Sequence, residues 1–248
     1  MTMITTDAAA SQHWVQGWAP DAGGTAPAYH IAAPDPLALE PRALGVQLAR
    51  LNRFTGATCE SWNVADHQRL VARIARRWVA RDVACDRRHW RIVVECLIHD
   101  VPEVITGDIP APALRYLETV LPGSRAAIDH HLHAPMLRAF RVACGLPPAP
   151  PIQADTTLIH RSDLTALAVE KTHLMAEPPA PWPPLPAPPP LAGLGIRGAL
   201  RASATPDAAA EAWRRALEEA LDMLGVRPLW HLPADVAAVH AARLMGQD

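Results

Sequence analysis

Cysteine is scarce in this chain. Cys59, Cys85, Cys96 and Cys144 are the only four in 248 residues, and no two form a CxxC pair. That scatter excludes a disulfide framework and a cysteine-built zinc site, and it reads as reduced thiols in a cytoplasmic protein. No apolar run reaches the ~18 residues of a membrane-spanning helix, so no membrane partner is expected. No basic stretch leading into an apolar one marks a signal peptide. An excess of one charge is also missing: the formal net charge is −2 and the pI is near 6.6. This leaves no electrostatic case for a nucleic-acid polymer as partner, while a small anion would need only a local patch. Internal repeats and strand-like alternation are absent as well. Half of the residues are apolar, enough to bury a core in one domain.

What is present is helical periodicity, which makes the class all-α. Residues 1–36, rich in Ala, Gly, Pro and Asp, read as an irregular arm with Trp14 and Trp18 as candidate anchors. Pro41 opens a first helix to about Phe54, with Leu44, Leu48 and Leu51 on one face and Gly56 as its stop. Asn63 suits the N-cap of a second helix, about 63–80, whose inward face carries Val64, His67, Val71, Ile74, Ala75 and Trp78. A third helix, with Asp86 as its cap, repeats Trp90, Val93, Val94, Leu97, Ile98 and Val101 at helical spacing. Short and long helices are predicted over 110–121 and from Arg125 to about Cys144, and another follows Pro151 with Asp155 and Thr156 as caps. Residues 178–190 hold nine prolines in thirteen positions, a stiff extended connector. Two more helices follow, one from Pro206 with Trp213, Leu217, Leu221 and Leu224 inward, the other from about Pro233 to Met245. The chain divides accordingly into an arm (1–36), a helical core (37–177), a connector (178–205) and C-terminal helices packing on the core (206–248).

The chemistry concentrates in Cys96-Leu97-Ile98-His99-Asp100-Val101-Pro102-Glu103-Val104-Ile105-Thr106-Gly107-Asp108. A buried helix ends there in an adjacent His-Asp pair, and Pro102 breaks the ladder and re-aims Glu103 and the Gly107-Asp108 turn. Imidazole and carboxylate together suit one divalent transition metal of the Mn, Co or Zn kind. An unligated carboxylate nearby could move protons in metal-assisted hydrolysis. Taken alone, His67 reads first as a hydrogen-bonded core histidine and His130, His131 and His133 first as decoration of a solvated face, while Asp108 could also serve as a helix cap. Asp163 and Glu170, seven apart, share one helix face.

In chain order, His67, His99-Asp100 and Asp163 resemble the H…HD…D signature of the HD-domain metal-dependent phosphohydrolases. Asn63-Val64-Ala65-Asp66-His67 is similar to the family's Ser-Val-Ala-Glu-His segment, and His99 through Pro110 to its HD-x-x-E-x-x-x-GD-x-P segment. Asp163 through Met175, Leu51 through Gly56 and the Trp182-bearing connector also resemble family blocks, so the likeness spans roughly residues 34–224. It is nearest to the 5′-deoxynucleotidase branch, which also has phage relatives that release triphosphate from dATP. The resemblance implies an HD-domain helical bundle. It makes His67, His99, Asp100 and Asp163 the metal ligands, Glu103 a proton-transfer group and Asp108 a group that positions the sugar or assists Glu103. Arg53 would grip the phosphate in a forked geometry and Phe54 would lie against the sugar. A nucleotide substrate and a homodimer are the partners it implies. Pro102 in place of a small residue, and His160-Arg161-Ser162 before Asp163, depart from the family pattern.

Four readings compete. One is a deoxynucleoside 5′-monophosphatase. A second is a deoxynucleoside triphosphate triphosphohydrolase on the same site, with Arg69, Arg73, Arg115 and Arg161 as candidates for the longer phosphate tail. A third is a dinuclear HD phosphodiesterase or oxygenase using His130, His131 and His133. The fourth is a non-catalytic helical module that docks a partner through its prolines.

Overall fold

A computed structural model describes residues 13–82, 87–177, 180–187 and 202–246. The class is all-α, with one short antiparallel pair, β1 (Trp14–Gln16) and β2 (Ala28–His30), inside the otherwise irregular arm. Of the two tryptophans proposed as anchors, Trp18 packs against the core, whereas Trp14 is 47% exposed. Tyr29, fully buried on β2, is the arm's deepest side chain.

Helix α1 (Pro41–Arg50) starts at Pro41, and the Glu40 carboxylate accepts the Ala43 N–H at 3.0 Å. It ends earlier than periodicity predicts, at Leu51 rather than Phe54. Arg53 N–H donates to the Trp62 carbonyl and Val64 N–H to that of Leu51, so these backbones pair across a loop instead of continuing a helix. The chain then turns through Phe54 and Thr55, with φ of 55° and 53°. Gly56, at φ 79°, ends that turn and not the helix.

In α2 (Val64–Asp82), Asn63 caps as predicted. Its Oδ1 accepts the Asp66 N–H at 2.9 Å and its Nδ2 donates back to Asp66 Oδ2 at 3.1 Å. Val64, His67, Val71, Ile74 and Ala75 are buried. Helix α3 (Arg87–Ile98) buries Trp90, Val93, Val94, Leu97 and Ile98, while its expected cap, Asp86, lies outside the described residues. Two short elements follow, α4 (Glu103–Thr106) and α5 (Ala111–Val120).

The helix predicted over 125–144 is interrupted. It runs as α6 (Ser124–Ile128), a π-type turn (Asp129–His133) and α7 (Ala134–Ala143). Pro135 has no N–H for the carbonyl of His131, four residues earlier, and the wider turn absorbs that missing bond. Helix α8 (Gln153–Leu174) begins without a side-chain cap. Asp155, expected to cap it, is buried and accepts Arg88 Nε and Nη2 at 2.9 and 2.7 Å. The Thr156 hydroxyl donates back to the carbonyls of Pro151 and Ile152.

Helix α9 (Pro206–Leu224), capped by Thr205, packs on α1, α2 and α3. Its buried Trp213 donates Nε1–H to the Leu97 carbonyl at 2.8 Å and stacks on Phe140 at 6.3 Å. That bond satisfies an orphan carbonyl at the C-terminal end of α3, where the chain turns to present His99 and Asp100. Helix α10 (Ala234–Met245) closes the bundle through a small cluster of Val142, Leu229, Ala237 and Ala241.

Candidate metal centre and active site

Three helices converge at the C-terminal end of α3. Helix α2 brings His67, the turn after α3 brings His99 and Asp100, and α8 brings Asp163. His67 Nε2 lies 3.4 Å from Asp100 Oδ2 and 3.1 Å from Asp163 Oδ1. His99 Nε2 lies 3.1 Å from Asp100 Oδ2 and 3.9 Å from Asp163 Oδ1. The opposite ring nitrogens are occupied. His67 Nδ1 donates to Glu170 Oε1 at 2.6 Å, and His99 Nδ1 donates to the Cys96 carbonyl at 2.8 Å. These bonds fix one tautomer for each ring and leave both Nε2 atoms as acceptors pointed at the same small space.

Both Nε2 atoms are buried without a hydrogen-bond donor. Two buried lone pairs and two carboxylates facing one point is a costly arrangement unless a cation is among them. Burial and the Arg53 charge push the His67 pKa down, but Glu170 and Asp163 outweigh them and leave it raised. Burial likewise lowers His99, and Asp100 and Asp163 carry it well above the usual range. The pocket thus favours positive charge at its centre. Among the described residues, His67, His99 and Asp100 form a group whose ligand atoms lie within 4.8 Å of one another. With Asp163 beside them the donor set fits a divalent ion, and the Nδ1 partners are the outer supports such ligands need.

Arg53 is buried beside this group. Its Nη1 is 3.8 Å from Asp100 and 3.8 Å from Asp108, and its Nε is 3.4 Å from Glu170 Oε2. Burial lowers its pKa, but Glu170, Asp100, Asp108 and Glu103 raise it above the ordinary value, so the guanidinium stays charged. None of these contacts is a short fork, which leaves its Nη groups able to meet an incoming anion, while Nε is buried. Asp108 does not cap a helix, because α5 starts at Ala111 with no side-chain cap. Instead Asp108 Oδ2 accepts the Phe54 N–H at 3.0 Å and so holds the left-handed turn that carries Phe54. Glu103 opens α4 with Oε2 buried and unbonded. Burial, with Asp100 and Asp108 nearby, drives its pKa well above the carboxylate range despite the opposing pull of Arg53.

Of the three histidines after Asp129, His133 lies near enough to the centre to feel the Asp100 charge, whereas His130 and His131 face away from it. His133 Nδ1 is 3.3 Å from Asp129 and its Nε2 is 3.2 Å from the Thr106 hydroxyl. His130 and His131, with ring centroids 4.7 Å apart, line a separate cleft with Asp35 and Arg138. Arg69 pairs with Asp66 at 2.9 Å, and Arg69 and Arg73 line a cleft with Arg76 and Arg215 that contains none of the ligand candidates. Arg161 lies over Trp78.

Glu170 is the site residue whose role sequence reasoning missed. It bonds His67 and also accepts the Trp62 Nε1–H at 2.8 Å. Its spacing from Asp163 was a usable signal, but nothing in the sequence marked Trp62 as its partner.

Residues 49–131 match a family model described as HD domain. The matched span is less than half of the chain and holds His67, His99, Asp100, Glu103 and Asp108, while Asp163 and Glu170 lie beyond it. No curated protein matches the chain. The HD-domain match and the His/His/Asp cluster together support a metal-dependent phosphohydrolase.

Proposed function

We propose that the protein removes phosphate from deoxynucleoside 5′-monophosphates. The observation that carries this reading is the convergence of two donor-free imidazole Nε2 atoms with Asp100 and Asp163, next to a buried, charged Arg53 and a carboxyl at Glu103. His67, His99, Asp100 and Asp163 would hold one divalent ion. Such an ion would offset charge on the phosphoryl oxygens and lower the pKa of the attacking water, so that it can lose its proton at neutral pH.

The remaining work falls to side chains of this chain. Arg53 binds the phosphate and orients it, since its guanidinium faces three carboxylates at 3.4–3.8 Å without a close bond to any of them and keeps its charge. Glu103, whose pKa is raised by burial and its acidic neighbours, is the carboxyl that gives a proton to the sugar 5′-oxygen as the P–O bond breaks. Asp108 is a positioning residue, fixing the turn that sets Arg53 and Phe54. Phe54 lies against the sugar, where a 2′-hydroxyl would meet its ring.

The alternative, release of triphosphate from a deoxynucleoside triphosphate, uses the same centre but requires cations beyond the first phosphate. Arg69 and Arg73 line a different cleft and Arg161 covers Trp78, which favours the monophosphate. A product assay on deoxy- and ribonucleoside mono-, di- and triphosphates, with Mn²⁺, Co²⁺ or Mg²⁺ supplied separately, tests the choice. Orthophosphate from deoxynucleoside monophosphates is the expected result. Intact triphosphate from a deoxynucleotide would replace this reading with the alternative.

A further inference from the structure

Trp182 has no part in the chemistry above, yet it stands at the edge of the same site. It belongs to the proline-rich connector, within which residues 181–187 are described and form neither helix nor strand. Its ring centroid lies 6.1 Å from that of Phe54, with the planes tilted by 48°. The Lys171 ammonium lies 5.3 Å from the Trp182 centroid, one residue along α8 from Glu170. On the other side, the Arg53 guanidinium carbon is 5.3 Å from the Phe54 ring, and Arg53 Nη1 is 3.8 Å from Asp100. A continuous row therefore runs outward from the candidate metal centre, through Asp100, Arg53, Phe54 and Trp182, to Lys171.

Core packing accounts for only part of this row: Phe54 rests against the core cluster, whereas Trp182 is not among the residues packed on it. Trp182 is half-buried and stands outside the core cluster, unlike Trp62 and Trp213, which are fully buried within it. Phe54 is one of only two phenylalanines in the chain, and its backbone is left-handed, which a bulky residue rarely adopts. Asp108 holds that conformation and thereby aims the ring at Trp182. The Phe54 ring thus covers the core on one side and meets Trp182 on another, with its strained backbone beside the candidate centre, an arrangement that suits a ligand-facing edge.

We infer that Trp182 is a specificity-determining residue whose indole, together with Phe54, forms the surface on which the substrate's nucleobase stacks. The inference rests on the nucleotide reading above and assigns Trp182 to the substrate site. The order outward from the centre, with Arg53 first, Phe54 next and Trp182 beyond, is the order of phosphate, sugar and base in a nucleoside 5′-phosphate. Stacking tolerates any base because each has a π-face, so the surface separates nucleotides from base-free sugar phosphates more sharply than one base from another.

The test compares a deoxynucleoside 5′-monophosphate with 2-deoxyribose 5-phosphate in wild type, Trp182→Ala and Trp182→Phe. In Trp182→Ala the KM for the nucleotide should rise about ten- to a hundredfold with little change in kcat. The ratio of kcat/KM for nucleotide over sugar phosphate should fall by the same factor, and Trp182→Phe should restore most of it. Calorimetry with the free deoxynucleoside, which carries base and sugar but no phosphate, should show affinity weakened by a like factor in Trp182→Ala. Equal losses on both substrates, or an unchanged ratio, would overturn the role of Trp182 and leave the nucleotide reading intact. A wild-type protein that turns over sugar phosphate but no nucleotide would overturn both.

Discussion

His67 is held by Glu170 on one ring nitrogen and faces Asp100 and Asp163 with the other, and this asymmetry underlies the rest of the site. Glu170→Gln keeps an acceptor for Nδ1 but removes the charge that makes the imidazole a stronger donor and that faces Arg53. The variant should bind Mn²⁺ about 10- to 100-fold more weakly, measured by calorimetric titration. Glu103 acts at a different step. Glu103→Gln cannot pass on a proton and should lower kcat by about 10²–10⁴-fold with metal affinity unchanged, measured by steady-state kinetics beside the same titration. At this scale the sequence was informative where residues sit together in it. His99, Asp100, Glu103 and Asp108 fall within one stretch, and the structure sets them around one space with Arg53. It was silent on pairs far apart, since Glu170 meets Trp62 from 108 positions away and only the packed helices bring them together.

Elements were legible wherever hydrophobic spacing governs them. The inward faces of α2, α3 and α9 emerge as periodicity predicts, because burying those stripes is what stabilises the helices. Two departures share a cause, which is backbone hydrogen bonding that hydropathy does not record. Helix α1 stops early because Leu51 and Arg53 pair with Val64 and Trp62. The helix over 125–144 widens at Asp129–His133 because Pro135 withholds an N–H. Where α7 ends, Gly145 has φ 75°, and a Cβ there would lie 2.5 Å from the Arg227 carbonyl oxygen. Gly145→Ala therefore meets both a left-handed backbone and a rigid neighbour. It should destabilise the fold by about 2–5 kcal/mol, measured by urea unfolding.

For the molecule as a whole, the bundle sets the chemistry at one point and the recognition around it. Helices α2, α3 and α8 meet at the candidate metal centre, α9 ties down the end of α3 through Trp213, and the connector brings Trp182 to the rim. The clefts lined by His130 and His131, and by Arg69 and Arg73, contain none of the ligand candidates, while His133 is near enough to Asp100 to feel its charge. No described helix is long and apolar enough to cross a membrane. The most direct measurement is the bound-metal content of purified, Mn²⁺-loaded protein in three forms: wild type, Asp163→Asn, and a triple variant with alanine at His130, His131 and His133. One ion per chain in wild type and in the triple variant, with most of it lost in Asp163→Asn, is the predicted result. No bound ion in folded wild type, or two ions of which the triple variant loses one, would contradict a mononuclear centre at His67, His99, Asp100 and Asp163.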